Sequence, residues 1–143
     1  MVPEIALMVP EINWWAVVLA TISTMVVGSV WYTPKLFGNW WMKAAKVDTP
    51  ANSVYAIVVT VIVSFISAWV LAGASAIAHH FYGGSFLVNT LVTSIILWGG
   101  FTAARFITHD AFENRPRLLT LLNIAHELVT VLVMALIIGL MGI

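Results

Sequence analysis

Long apolar segments alternate with short polar breaks along the chain. Residues 49–104, between Asp48 and Arg105, contain no charged side chain. One membrane crossing needs about 20 apolar residues, so this stretch is long enough for two. His79, His80 and the glycines that follow them divide it near its middle. The pattern therefore predicts two crossings here, joined by a short polar turn.

The same pattern applied to the whole chain predicts four membrane-spanning helices, at about residues 12–32, 52–78, 85–108 and 117–142. Helices are favoured because a segment in hydrocarbon must satisfy its backbone polar groups internally, and the alternation of a barrel strand is absent. We predict an all-α fold class. The architecture is an integral membrane four-helix bundle that forms a single transmembrane domain over residues 1–143.

Composition narrows the possible functions. Hydrophobic residues make up 62% of the 143 residues and charged residues 8%, against about 45–50% and about 25% in soluble domains. So few charges exclude an ordinary soluble enzyme. The six basic and six acidic residues cancel, which argues against nucleic acid as a partner. Without cysteine or a catalytic motif, we expect no enzyme activity, no cofactor and no metal site.

A second kind of helix is predicted directly after the first span. Residues 34–47 read PKLFGNWWMKAAKV, with aromatic residues and lysines on different faces at helical spacing. This pattern predicts an amphipathic helix in the plane of the headgroups, which either only anchors the chain or recognises a lipid or a partner. Its membrane lipid contacts are predicted at Lys35, Trp40, Trp41, Lys43 and Lys46.

The basic residues predict the orientation of the chain. All six lie in the connection after the first span or around the connection after the third: Lys35, Lys43, Lys46, Arg105, Arg115 and Arg117. Such residues collect on the cytoplasmic side of a membrane. We therefore expect a multi-pass protein of the cell membrane with both termini outside.

Small residues mark two helix faces for close packing. One face lies on the second span and the other on the third: Ser64, Ala68, Ala72, Ala76, and the pairs Gly99–Ala103 and Gly100–Ala104. Helices in lipid associate through such faces, either within one chain or between copies. A homo-oligomer, most simply a dimer, is the hypothesis that follows.

The fourth span carries a polar stripe in an otherwise apolar helix. Asn123, Glu127 and Thr130 recur at helical spacing, and His126 adjoins them. Glu127 lies near the middle of the span, where an acidic group costs about 2.5–3.5 kcal/mol on insertion scales. Its carboxyl group therefore needs a partner or a proton.

Three hypotheses remain open for this stripe. Glu127 is a structural group bonded to His126, Asn123 or a hydroxyl group of another span. Alternatively, it handles a proton or a cation in a water-filled cavity, or it binds a ligand or metal together with His126.

Two further residues support the candidate site. Arg105 either extends to the headgroups or pairs with Asp110 or Glu113, and Asn89 is expected to bond between helices.

The sequence also resembles a known family. The resemblance rests on Asn13-Trp14, Gly28, Trp31-Tyr32-x-Pro34, Phe37-Gly38, Trp41, Gly100-Phe101, Asn123 and the apolar tail to Gly139. These motifs are similar to those of the DUF1761 family of small four-helix membrane proteins. The resemblance covers nearly the whole chain and implies the same architecture. Because the function of that family is unknown, the resemblance implies no activity.

Two functional hypotheses follow from these observations. The first is transport or binding of a small solute, ion or lipid by the polar cluster on the fourth span. The second is a non-transporting accessory or structural subunit of a membrane complex. They differ in whether Glu127 contributes to a flux or only to folding.

Overall fold

The computed structural model describes residues 10–48 and 54–143, and regular structure in these ranges is entirely helical. The helices are α1 (Trp14–Trp31), α2 (Gly38–Ala45), α3 (Val54–Tyr82), α4 (Phe86–Leu97), α5 (Ala104–Phe112) and α6 (Arg117–Met141). A π-helical turn, Trp98–Ala103, joins α4 to α5, so that these three elements form one continuous span.

The four predicted crossings are confirmed as helices of sufficient length and apolarity: Trp14–Trp31, Val54–Tyr82, Phe86–Phe112 and Arg117–Met141. The predicted start of the second span, at residue 52, lies outside the described residues. This span ends at Tyr82 and not at residue 78, because the helix continues through His79 and His80. The chain turns only at Gly83 and Gly84, whose φ angles of 67° and 76° suit glycine.

The successive spans run in alternating directions, which gives the bundle two distinct ends. At one end the Asn13 side chain donates a hydrogen bond to the Gly142 carbonyl at 3.2 Å. At the other end α2 packs against α6. Both connections that carry the basic residues lie at the α2 end. The basic residues therefore lie on one side of the membrane, as expected. Which side faces the cytoplasm stays a prediction.

Small side chains form the centre of the bundle. The buried cluster combines residues of α1, α3 and α6: Ala16, Val17, Ala20, Ala68, Leu71, Ala72, Met134, Ala135 and Ile138. A hydrogen bond of 2.9 Å between the buried hydroxyl groups of Thr24 and Ser64 also links α1 to α3. The small-residue face of α3 therefore packs within the chain. By contrast, a Cβ atom added at Gly99 or Gly100 would meet nothing within 4 Å.

The interfacial helix is shorter than predicted, because residues 32–37 form a tight turn. The Phe37 amide donates to the Trp31 carbonyl at 3.1 Å, and the Gly38 amide to the Thr33 carbonyl at 3.0 Å. The Phe37 ring packs on Trp31 with 4.4 Å between centroids. The helix accordingly begins at Gly38 and not at residue 34. Gly38 is required here because a Cβ atom would overlap the carbonyl oxygen of Tyr32.

We predict that Gly38→Ala destabilises the protein by about 1–3 kcal/mol, the usual cost of forcing an atom into filled space. Gly100→Ala is the control, because its Cβ atom meets open space, and we expect it to be neutral or stabilising by up to about 1 kcal/mol. Thermal unfolding in detergent micelles, followed by circular dichroism, measures both. Equal stability of Gly38→Ala and the unmodified protein would contradict the packing described for this turn.

Candidate ligand cleft

A cleft of about 1070 Å³ lies in the half of the bundle nearer α2. Its walls come from α1, α2, α3, the third span and α6. α3 packs along α1 and α4 and has little contact with the π-helical turn or α5. Val63 on one wall is 54% exposed and Phe101 on the other is 69% exposed. The cleft is therefore open at its side, between the second and third spans.

Glu127 supplies the carboxylate of this cleft. It lies about three turns into α6, well inside the predicted hydrocarbon region. Its side chain is 34% exposed, and its Oε1 atom lies 3.6 Å from His126 Nδ1. Charge-assisted bonds between nitrogen and a carboxylate measure about 2.7–2.9 Å. The carboxylate accepts no hydrogen bond from residues 10–48 or 54–143, so the neighbouring histidine does not satisfy it.

His126 packs between the two aromatic residues at the end of α1. Its ring centroid lies 5.0 Å from that of Tyr32 and 5.8 Å from that of Trp31. The His126 Nε2 atom is buried and has no hydrogen-bond partner in the described part of the chain. It lies 3.9 Å from the position of a Cβ atom added at Gly28. α1 and α6 thus hold the imidazole beside Glu127 by packing alone.

Asn123 connects α6 to α2. Its Oδ1 atom accepts a hydrogen bond of 3.0 Å from Trp41 Nε1. Trp41 therefore turns toward the bundle, whereas the sequence placed it among the lipid contacts. Trp40 is 59% exposed, and the three lysines of this segment are exposed. Their contact with lipid stays a prediction.

Thr130 lies on the cleft wall but is satisfied by its own helix. Its hydroxyl group donates to the His126 carbonyl at 2.9 Å. The structure thus brings Asn123, His126, Glu127 and Thr130 to one cavity. Within the described ranges, unused hydrogen-bonding atoms remain there on Glu127, on His126 and on the side-chain nitrogen of Asn123.

The two supporting residues lie away from the polar group of the cleft. Arg105 is exposed and forms no ion pair within the described ranges. Its two expected partners are engaged elsewhere, because Asp110 accepts from Thr120 at 2.7 Å and Glu113 pairs with Arg115 at 3.0 Å. Asn89 belongs to the opposite end of the bundle.

Asn89 holds the turn between α3 and α4. Its side-chain nitrogen donates to the Gly83 carbonyl at 2.8 Å and lies 3.1 Å from His79 Nδ1. Asn89 therefore joins the second and third spans at the end remote from Glu127. It has no contact with the candidate site.

Three residues of the cleft were missed from the sequence. Tyr32 was named only as part of the Trp31-Tyr32-x-Pro34 motif, yet it lines the cleft beside His126. Ser67 of α3 also lines the cleft. Trp98 also lines the cleft, and its Nε1 atom donates to the Ile124 carbonyl at 2.8 Å.

The cleft contains few groups that could act as metal ligands. Residues 10–48 and 54–143 contain no group of three or more histidine, aspartate or glutamate side chains that could hold a metal ion. His109, Asp110 and Glu113, close in sequence, form no such group. The cleft offers one carboxylate, one imidazole, hydroxyl groups and aromatic rings.

Comparison with known proteins identifies a family. The family described as a protein of unknown function, DUF1761, matches residues 15–139. This match confirms the resemblance inferred from the sequence. No curated protein and no solved structure matches the chain.

We predict that Trp41→Phe destabilises the attachment of α2, because it leaves the Asn123 oxygen without its donor. The expected cost is about 1 kcal/mol in thermal stability, typical of one lost hydrogen bond. Amide exchange in α2 should also accelerate. Trp40→Phe is the matched control, since Trp40 lies next to it and is exposed. Identical exchange of α2 in the two variants would show that the bond does not hold this helix.

Proposed function

Because the chain belongs to the DUF1761 family, whose function is unknown, we propose its function from the geometry of the cleft. The protein binds a small membrane-soluble molecule in the cleft, with the polar end of that molecule at Glu127 and His126. Such binding is the first step of a transport or carrier activity. The polar cluster on the fourth span is its recognition group.

One observation carries this proposal: a carboxylate without a hydrogen bond faces an open and mainly apolar cleft. An acidic group within a membrane span that serves only structure is normally paired with another protein group. Glu127 has only the 3.6 Å contact with His126. A ligand with a polar group at this depth would supply the missing interaction.

The shape of the cleft supports entry from the bilayer. The opening lies between two spans and is flanked by Val63 and Phe101, which are apolar and largely exposed. An apolar molecule dissolved in lipid meets no polar barrier at such an opening. Ligand sites of about 300–1,000 Å³ are usual for small molecules, so the cleft has room for one.

We predict saturable binding of a dodecyl amphiphile, and we predict that Val63→Trp weakens this binding by occupying part of the cleft. The probes are radiolabelled dodecyltrimethylammonium, dodecyl maltoside and dodecyl sulfate. The protein is held in phosphatidylcholine nanodiscs, with protein-free nanodiscs subtracted. At least one probe should bind, and Val63→Trp should lower its affinity by about tenfold or more, the effect of losing a few apolar contacts.

Ile62→Trp is the matched control for this experiment. Ile62 and Val63 are adjacent on α3 and are each 54% exposed, but only Val63 lines the cleft. The control should bind like the unmodified protein. Purely linear partition of all three probes, or equal effects of the two tryptophans, would contradict a binding role for the cleft.

A second candidate function is that of a non-transporting subunit in a membrane assembly, for which a homo-oligomer is the simplest form. The exposed face at Gly99 and Gly100 favours it, because small residues in lipid allow a second helix to approach closely.

The chain has no cysteine, so Gly100→Cys introduces a single thiol. We predict that oxidation in native membranes crosslinks this variant but leaves Ile62→Cys monomeric. If both variants remain monomeric after oxidation, the proposed homo-oligomer is wrong.

A further inference from the structure

The ionisable residues that line the cleft determine which ligand charge it accepts. Its ionisable lining residues are Tyr32, His126 and Glu127, and no lysine or arginine from the described part of the chain lines it. All six basic residues of the protein lie in the connecting regions or near them. An anionic group that entered this cleft would meet a carboxylate at low dielectric and neither lysine nor arginine. The cleft therefore excludes anions and favours a positive charge.

Aromatic rings surround the same end of the cleft. Tyr32 and Trp41 both line it and contact each other edge to face, with 5.3 Å between ring centroids. Trp98 contributes a third aromatic side chain from the third span. Ring faces attract organic cations, most strongly when water is excluded. A carboxylate beside several aromatic rings is a suitable site for an ammonium group.

The residues that line the cleft also favour an organic cation over a metal ion. Divalent cations such as calcium require six or more oxygen ligands. Glu127 is the single carboxylate among the described lining residues, and no metal-binding cluster accompanies it. The rest of the wall is largely aliphatic or aromatic and includes Val59, Val70 and Phe106. Such walls suit the apolar part of an organic cation and not the hydration shell of a metal ion.

We infer that the ligand of this cleft is an amphipathic organic monocation. Its ammonium end lies between Glu127 and the rings of Tyr32 and Trp41, and its apolar body lies along α3 toward the bilayer. This inference rests on the proposed binding function and adds the charge of the ligand. It also accounts for the unsatisfied carboxylate, which the bound cation neutralises.

The dodecyl series tests the charge of the ligand directly, because the three probes share one apolar chain. Dodecyltrimethylammonium should bind at least about tenfold more tightly than dodecyl maltoside, and dodecyl sulfate should not compete. Glu127→Gln should remove most of this preference by weakening the cation about tenfold while changing the neutral probe by less than about twofold. Glu127→Asp keeps the charge and should retain the preference.

Glu113→Gln is the control for loss of a carboxylate, because Glu113 pairs with Arg115 at the surface. It should bind all probes like the unmodified protein. Equal binding of neutral and cationic probes, both blocked by Val63→Trp, would overturn the cation inference but leave the binding function intact. Absence of binding by every probe would overturn the function itself. If Glu127→Gln does not fold, the selectivity of the unmodified protein and of Glu127→Asp decides the question.

Discussion

A carboxylate placed inside a membrane bundle requires a hydrogen bond, a counter-charge, a proton or water, and this requirement organises the site described above. Glu127 has only a long contact with His126. His126 in turn is held by rings and not by hydrogen bonds. The Asn123 oxygen is already engaged by Trp41, and the Thr130 hydroxyl group donates to its own helix. The unsatisfied group therefore faces the open cleft.

The segment after α1 positions this site. The turn at residues 32–37 places Tyr32 over the imidazole and directs α2 back to α6, where Trp41 reaches Asn123. Gly38 makes the turn possible by leaving room for the Tyr32 carbonyl. Thus the short helix and its aromatic residues form one end of the cleft. Its exposed lysines and Trp40 remain available to the headgroup region.

Apolar run length was sufficient to predict the four spans, because a membrane crossing depends on hydrophobicity more than on detailed packing. Helical spacing likewise placed Asn123, Glu127 and Thr130 along one stripe, with His126 beside it. The turn at residues 32–37 was not predicted, since a proline after threonine is also typical of a helix start. The approach of Tyr32 to His126 depends on contacts far apart in sequence. Neither that approach nor the opening between α3 and α5 has a local sequence signal.

The decisive measurement is an experimental structure of the protein in lipid nanodiscs containing dodecyltrimethylammonium, determined at a resolution that shows side chains. The account predicts an open side between the second and third spans. It also predicts elongated density in the cleft, with its charged end beside Glu127. Close packing of α3 on α5, or a Glu127 carboxylate fully bonded to protein groups in an empty cleft, would contradict it.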